Sequence, residues 1–285
     1  KILIIKMNSY KPGLYIVSTP IGNLGDVTLR SLDILKKSDI ILCEDTRRSL
    51  KLLNHYKIKK KLVSYHKFNE KKLLPFVITS IMGGEKISLI SDAGTPILSD
   101  PGLLLLRECI KKNIKIFPVP GVSAITTATS MSGFDDKYIF YGFLPKKEKE
   151  IEKVLINLKN YNFCIVFFIP SIKINYYIKF FKKYFDGRNI FIAKEMTKIH
   201  ENFYRANLKN LNSFKTKLKG ELTVIVSNLG KKSVLKGNNI DKKNLKLEIS
   251  KYLKRYSVRD VVNLISEKNK LPKKEIYNLC LQIKK

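Results

Sequence analysis

Three short apolar runs of this chain each end in a turn that is rich in glycine and proline. They are LYIVSTPIGNLGD at 14–26, ISLISDAGTPILSDPG at 87–102 and IKIFPVPGVSAI at 114–125. Each pattern is typical of a buried strand that runs into a tight turn and then a helix. Because ligands of open α/β sheets bind at the carboxyl ends of the strands, the three turns predict a small-molecule pocket walled largely by backbone.

Strand-like runs alternate with helical patterns from residue 14 to about residue 227, which predicts an α/β fold with a mostly parallel sheet in the first half. The strands predicted in that half are Leu14–Ser18, Ile40–Cys43, Leu62–Tyr65, Ile87–Ile90 and Ile114–Val119. The helices predicted there are Thr28–Lys37, Arg47–His55, Glu70–Met82, Pro101–Asn113 and Ser123–Ser132. Asp100 is the expected N-cap of the fourth helix, with Pro101 in its first position, and Gly133 is the expected end of the fifth.

The second half repeats this alternation. Its predicted strands are Tyr138–Phe143, Phe163–Ile169, Asn189–Lys194 and Leu222–Ser227, with Phe203–Ala206 as a weaker edge strand. Its clearest predicted helices are Glu148–Leu158 and Ile172–Phe185. A polar stretch from residue 231 then leads to three short helical patterns, at Asp241–Arg255, Val258–Glu267 and Lys273–Ile283.

These changes in pattern predict three domains. We expect an N-terminal α/β lobe at 1–135, a C-terminal α/β lobe at 136–230 and a basic helical extension at 231–285. The three helical patterns of the extension favour either a small helix-turn-helix unit or a tail that packs on the body of the protein.

The chain is strongly basic, with 55 lysines and arginines against 24 acidic residues and a net charge of +31. The excess is uneven, because residues 86–135 carry five basic and four acidic side chains, whereas residues 231–285 carry sixteen and five. The codon bias of an AT-rich genome would also enrich lysine, but it would not by itself spare the pocket region. The distribution therefore favours a nucleic acid or another polyanion as partner.

The sequence lacks the motifs that are typical of dinucleotide-binding proteins, P-loop nucleotide hydrolases and α/β-hydrolases. There is no GxGxxG, no GxxxxGK[ST] and no GxSxG, and the three histidines lack metal-ligand spacing, so no metal site is expected. The cysteines, which we expect to be buried free thiols in a reducing cytoplasm, are Cys43, Cys109, Cys164 and Cys280. No apolar run approaches the roughly 18 residues that a membrane span requires, so no membrane partner is expected.

Six motifs in order carry a resemblance to a known family. They are LYIVSTPIGNLGDVTLRSL at 14–32, EDTR at 44–47, NE at 69–70, SDAGTPILSDPG at 91–102, PGVSA at 120–124 and GFLP at 142–145. The sequence resembles the bacterial 16S ribosomal RNA cytidine 2′-O-ribose methyltransferases, which belong to the tetrapyrrole-methylase-like superfamily of class III methyltransferases. The resemblance continues through AKEMTK at 193–198 and GEL at 220–222, and the helical extension is similar to that of RNA-methylating members.

The resemblance implies two α/β lobes of the tetrapyrrole methylase type with a small C-terminal helical extension. It also implies a homodimer, S-adenosylmethionine as methyl donor in the cleft between the lobes, and a cytidine in the decoding region of 16S rRNA, within the small ribosomal subunit, as substrate. The donor-binding residues expected in the three loops are Pro20, Gly22, Ser91, Asp92, Ala93, Gly94, Thr95, Pro96, Pro120, Gly121, Val122, Ser123 and Ala124. Glycine lets a ligand approach the backbone closely, and proline reduces the entropy that the loop loses on ordering.

The residue that accepts the proton from the ribose hydroxyl is left open by the sequence. The candidates are Asp45, Glu44, Glu70, Asp100 and Glu195. The preferred pair is Asp45 with Arg47, which could orient the carboxylate or hold a phosphate, although the two could equally cap the following helix. The residues expected to contact RNA are Lys194, Lys198, Arg255 and Arg259.

One segment departs from the family pattern. The family usually shows a glutamate and, three residues on, a His-Arg pair, where this chain has Ile169, Ile172 and Lys173. Because of this departure, an alternative function is that of a catalytically impaired assembly factor that binds RNA. A small-molecule methylase that acts on a tetrapyrrole is the other alternative, and the basic tail argues against it.

Overall fold

The computed structural model describes residues 10–229, 242–253, 255–269 and 273–284. The described residues group into two compact units, which divide between residues 228 and 229. The first unit contains two five-stranded sheets, and the second is helical. The division into three domains that the sequence suggests stays a prediction.

The first sheet is entirely parallel, with strand order β3-β2-β4-β1-β5. Its strands are β1 (Gly13–Val17), β2 (Ile40–Cys43), β3 (Lys61–Ser64), β4 (Lys86–Ile90) and β5 (Ile116–Val119). Each strand is followed by a helix, and these are α1 (Leu29–Lys37), α2 (Thr46–His55), α3 (Glu70–Met82), α4 (Leu103–Lys111) and α5 (Ala124–Ser132).

Both faces of the first sheet are buried, as a parallel sheet between layers of helices requires. Leu14 and Leu42 pack on one side with α3 and α4, whereas Tyr15 and Ile41, their neighbours in sequence, pack on the other side with α1 and α2. The strands are therefore continuous apolar runs, and the carboxyl ends of all five strands point to one edge.

The second sheet is mixed, with strand order β6-β7-β10-β8-β9. Its strands are β6 (Tyr138–Phe143), β7 (Cys164–Pro170), β8 (Asn189–Lys194), β9 (Asn202–Asn207) and β10 (Glu221–Val226). Only β6 and β7 are parallel, and the other three pairs are antiparallel. The weak strand predicted near residue 203 is confirmed as the edge strand β9.

Helices α6 (Glu148–Leu158) and α7 (Ile174–Tyr184) cover one face of the second sheet. The other face packs against Ile125 and Ala128 of α5 and against Ile21 of the loop that follows β1. Helix α5 belongs to the first βα succession by sequence, yet it is buried against the second sheet. The two lobes therefore share a core, which fixes their relative positions.

The second unit consists of α8 (Lys242–Leu253), α9 (Val258–Asn269) and α10 (Lys273–Lys284). Leu245, Ile249, Val261, Ile265 and Ile276 form its apolar core. Ser257 caps α9, because its hydroxyl accepts a hydrogen bond from the backbone N–H of Asp260 at 3.3 Å. None of the helices in the described part of the chain is long and apolar enough to cross a membrane.

The α/β fold class is confirmed, and two predicted helix starts are wrong. Helix α7 begins at Ile174 and not at Ile172, because Ser171–Lys173 form a separate 3-10 helix. Helix α4 begins at Leu103 and not at Pro101, because Gly102 precedes it with φ at 119°, a left-handed conformation that Asp100 and Pro101 do not share. Gly133 ends α5 in the left-handed conformation, as predicted. The four cysteines are buried and free, which confirms the prediction of buried free thiols.

Candidate active site

A cavity of about 950 Å³ lies where the carboxyl ends of the first sheet face the second sheet. The first lobe contributes the segments that follow β2 and β4 and the first residues of α5. The second lobe contributes the ends of β6 and β7 and the start of β10. A volume near the upper end of the usual range for small-molecule sites, about 300–1,000 Å³, can hold more than one small ligand.

The three glycine- and proline-rich loops are joined to each other at one wall of this cavity. Thr19 and Gly94 exchange two backbone hydrogen bonds, at 2.9 and 3.0 Å. The hydroxyls of Ser18 and Thr95 are 3.0 Å apart, and the Thr95 hydroxyl donates to the carbonyl of Val122 at 3.3 Å. Loops that are remote in sequence therefore form one continuous backbone surface.

Two glycines at the contact between the loops leave little room for a side chain. Gly94 has φ at 79°, and a Cβ there would lie 3.3 Å from Cγ2 of Ile21. A Cβ at Gly121 would lie 2.9 Å from the Cβ of Ser18, so the loops after β1 and β5 could not approach as they do. These glycines are required by the contact between the loops, which also keeps side chains out of the wall.

The loop from Gly94 to Gly102 carries backbone strain. Ile97 and Ser99 have φ at 75° and 73°, and a left-handed conformation is unusual for a β-branched residue such as isoleucine. Glu70 supports the end of the loop by accepting a hydrogen bond from the backbone N–H of Gly102 at 3.4 Å. Strained segments of this kind concentrate at functional sites, where the surrounding structure holds them in place.

Three carboxylates, of Glu44, Asp92 and Asp100, face the cavity from the ends of β2 and β4 and from the strained loop. Burial, together with the charges of Glu44 and Asp92, raises the pKa of Asp100 to about 6. Burial and the charge of Asp92 also raise the pKa of Glu44. Among the residues that the structure describes, no cation forms an ion pair with Asp100. This carboxyl group is therefore a better proton acceptor than an ordinary aspartate.

Asp45 is in a different electrostatic situation. Its carboxylate accepts the backbone N–H of Arg47 at 2.9 Å, which caps α2, and forms two further bonds with the Arg47 guanidinium at 3.1 and 2.8 Å. The Arg47 side chain holds the pKa of Asp45 down to about 2. Asp45 thus lines the cavity as predicted, but its carboxylate is a weak base that is already committed to a cap and an ion pair.

An ion-pair network formed by Lys198, Glu195 and Glu221 lies next to the part of the cavity lining that the second lobe provides. Lys198 lies 3.0 Å from Glu195 and 2.9 Å from Glu221, and the Glu195 carboxylate accepts the backbone N–H of Glu221 at 2.8 Å. Burial works against ionisation of Glu195, but these hydrogen bonds together lower its pKa. Glu195 and Lys198 therefore hold the turn before β10, and neither lines the cavity.

The structure brings about half of the predicted donor-binding residues to the cavity. Those that line it are Asp92, Ala93, Gly94, Thr95, Ser123 and Ala124. Those that lie outside its lining are Pro20, Gly22, Ser91, Pro96, Pro120, Gly121 and Val122. From the loop after β1, only Ile21 lines the cavity, whereas a Cβ at Gly22 would clash with the side chain of Lys198. Gly22 thus serves the contact between the lobes.

The other predicted residues are spread more widely. Glu44 and Asp100 line the cavity, and Glu70 does not. Lys194 lies at the end of β8, where its ammonium donates to the carbonyl of His200 at 3.1 Å. Arg255 and Arg259 are exposed residues of the helical unit, outside the unit that holds the cavity.

The segment that departs from the family pattern runs past the cavity. Ile169, at the end of β7, lines the cavity and is only 2% exposed, whereas Ile172 is 71% exposed in the short 3-10 helix Ser171–Lys173. The segment thus places an apolar residue where a glutamate is usual in the family.

Aromatic residues at the cavity were missed from the sequence. Phe68, Phe143 and Phe168 all line it. Phe143 lies in the GFLP motif, and Phe68 lies beside the NE motif, so their positions next to motif residues were the available signal. No local pattern indicates that these side chains are exposed or can be reached from the cavity.

Comparisons with known proteins agree with this architecture. The family model of tetrapyrrole (corrin/porphyrin) methylases matches residues 13–212. A solved uroporphyrin-III-C-methyltransferase from Thermus thermophilus aligns over 76% of this chain and 94% of its own, with a TM-score of 0.54 at 14% identity. The methyltransferase CobJ aligns over the same shares with a TM-score of 0.56 at 16% identity. These likenesses show the fold alone.

Curated relatives are much more similar in sequence, and the three described next are each named ribosomal RNA small subunit methyltransferase I. The relative from Buchnera aphidicola is 38% identical over 283 residues, which cover 97% of this chain and 99% of that protein. The one from Rickettsia prowazekii is 38% identical over 94% of this chain and 96% of its own. The one from Thermotoga maritima is 43% identical over 75% of this chain and 97% of its own. The chain therefore belongs to the tetrapyrrole methylases and, within them, to the ribosomal RNA small subunit methyltransferase I family.

Proposed function

We propose that this protein transfers a methyl group from S-adenosylmethionine to the 2′-hydroxyl of a cytidine ribose in the decoding region of 16S rRNA. The observation that carries the proposal is the similarity to proteins named ribosomal RNA small subunit methyltransferase I over 94–97% of this chain. The strongly basic composition, with a net charge of +31, supports an RNA substrate.

The residues of the cavity fit this donor. The sulfonium and amino groups of the donor are cationic, and the carboxylates of Glu44, Asp92 and Asp100 face the cavity. The first N–H groups of α5 have no partner within the helix, and the Ser123 side chain does not cap them, so this end of the helix can receive a carboxylate. The loop with Gly94 offers backbone at close range. When bound, the donor supplies the methyl group that is transferred.

We further propose that Asp100 accepts the proton of the ribose hydroxyl. The hydroxyl is a weak nucleophile, so it needs alignment with the methyl group and a base within reach. Asp100 lines the cavity on the same loop as Gly94 and is not neutralised by a nearby cation in the described residues. As the new O–CH₃ bond forms and the donor's S–CH₃ bond breaks, the hydroxyl proton passes to a carboxylate oxygen of Asp100. Glu44 and Asp92 remain as negative neighbours that keep this carboxylate basic.

The partners of the protein follow from the same proposal. The small ribosomal subunit is the proposed substrate assembly, and Lys194, Arg255 and Arg259 are proposed contacts to RNA phosphates. Lys198 is the weaker proposal, because its ammonium pairs with Glu195 and Glu221. A homodimer stays a prediction from the resemblance, and a cytoplasmic location stays a prediction from the cysteine residues.

Mapping of ribose methylation on 16S rRNA tests the function. RNA is compared from cells with the gene, cells without it, and cells without it that carry a plasmid copy. We expect one cytidine of the decoding region to lose its 2′-O-methyl group on deletion and to regain it with the plasmid. If methylation of every decoding-region cytidine is the same in all three, the proposed function is wrong.

A further inference from the structure

We propose that Phe68 is a stacking platform for a nucleobase of the RNA at the mouth of the cavity. The inference rests on the proposed function and extends it by naming how the substrate nucleotide is held. Phe68 is 94% exposed, which makes it the most exposed aromatic side chain in the described part of the chain. It also lines the cavity, so a ligand that enters the site can cover its ring.

The turn that carries Phe68 is fixed by hydrogen bonds. Asn69 accepts the backbone N–H of His66 at 2.8 Å through Oδ1 and donates to the carbonyl of Ser64 at 2.9 Å through Nδ2. The backbone N–H of Phe68 donates to Nδ1 of His66 at 3.3 Å, and the two rings lie 6.0 Å apart in an edge-on arrangement. The hydrogen bonds therefore fix the backbone of the turn, so a ligand that stacks on the exposed ring need not order this loop.

The surroundings of Phe68 match a nucleotide. Lys67, Arg47 and Arg48 line the same cavity. Arg47 pairs with Asp45 at 2.8 Å and Arg48 with Asp92 at 3.2 Å, but the two arginine side chains are still 87% and 64% exposed. Exposed cations beside an exposed aromatic ring are the combination with which proteins bind single-stranded nucleic acids, the cations at the phosphates and the ring at a base. Sequence-specific RNA recognition likewise targets unpaired bases that stack on aromatic side chains.

The position of the ring also fits the reaction. A nucleotide inside a folded RNA must unstack from its neighbours before its ribose hydroxyl can reach the cavity. Unstacking the base costs free energy. An aromatic surface at the entrance offsets part of that cost. Two more exposed apolar residues of the lining, Leu98 and Phe143, are 46% and 57% exposed and extend the apolar entrance.

Three variants of the full-length protein test the inference. They are Phe68→Ala, Phe68→Trp and, as matched control, Phe76→Ala, since Phe76 is 43% exposed on α3 and does not line the cavity. Affinity for a labelled decoding-region fragment of 16S rRNA is measured by fluorescence anisotropy, and affinity for S-adenosylmethionine by calorimetry. Methylation of 30S subunits from the deletion strain is measured in parallel.

We expect Phe68→Ala to weaken RNA binding by about 5- to 150-fold, the range for loss of one base stack. The donor affinity should change less than twofold, Phe68→Trp should restore RNA binding, and Phe76→Ala should match the wild type. Equal RNA binding by Phe68→Ala and Phe76→Ala would overturn the inference. So would a loss of donor affinity with RNA binding intact, or dissociation of a wild-type dimer by Phe68→Ala in sedimentation. If the wild type binds RNA through Phe68 but methylates no 30S subunits, the inference stands and the proposed function fails.

Discussion

Replacement of Asp100 by asparagine should lower the rate of catalysis and raise the stability of the folded protein. Asparagine keeps the size of the side chain and removes its negative charge and its basicity. If Asp100 accepts the hydroxyl proton, kcat should fall by about 10²- to 10⁴-fold, the usual contribution of a general base. The folded protein should nevertheless become more stable at neutral pH, because a buried charge is lost.

The size of the stability gain follows from the pKa of Asp100, which rises from 3.8 to about 6 on folding. About two pKa units correspond to about 3 kcal/mol between the charged and neutral forms. Because the side chain borders an open cavity, solvent screening reduces this to about 1–2 kcal/mol. The gain is an increase in the free energy of unfolding of Asp100→Asn relative to the wild type.

The sign of the pH dependence is fixed by the same shift. Between pH 3.8 and about 6 the folded state binds more protons at Asp100 than the unfolded state does, so wild-type stability falls as pH rises through this window. The advantage of Asp100→Asn is therefore full above about pH 6, and it shrinks to a few tenths of a kcal/mol near pH 4. The titratable groups around Asp100 that set this window include Glu44 and Asp92, and both remain in the variant.

The assay combines 30S methylation, calorimetry with S-adenosylmethionine and thermal unfolding at pH 5 and pH 8. In the wild type, kcat/KM at limiting donor should fall about tenfold per unit below pH 6, since it reports protonation of the free enzyme. A bound cationic donor should move the corresponding inflection in kcat to lower pH. A kcat of Asp100→Asn within threefold of the wild type, with donor affinity retained, would refute the assignment of Asp100 as the proton acceptor.

Two further substitutions address the remaining assignments. Gly121→Val should lower donor affinity at least tenfold, because a Cβ there would lie 2.9 Å from the Cβ of Ser18. Circular dichroism should show that the variant stays folded. Gly133→Asn is the control, since a Cβ at Gly133 would meet nothing within 4 Å. Unchanged calorimetry for Gly121→Val would show that the joined loops do not form the donor site. Asp45→Asn should lower kcat less than tenfold and keep the fold, because asparagine also caps helices and the Asp45 carboxylate is already paired with Arg47. A loss in kcat equal to that of Asp100→Asn would instead support Asp45 as the proton acceptor.

Patterns of neighbouring residues were enough to predict most strands and helices. Runs such as IILC at Ile40–Cys43 are apolar at every position, which indicates a strand buried on both faces, and Gly133 marks a helix end because its φ of 73° suits glycine. The start of α4 was wrong for a related reason. Asp100 and Pro101 are favourable residues for a helix start, but the loop that holds them ends at Gly102, which has φ at 119° and donates a backbone hydrogen bond to Glu70.

The sequence by itself determined the α/β class and the three backbone loops that meet at one edge of the first sheet, because alternating burial and turn chemistry are local properties. Only the tertiary structure decided which carboxylate is basic. Asp45 and Asp100 are both aspartates, but Asp45 lies beside Arg47. Asp100 is buried beside Glu44 and Asp92. It also decided that Gly22 serves the contact between the lobes and that Phe68 stays exposed. Charge, burial and exposure depend on residues far apart in the chain, and no local pattern records them.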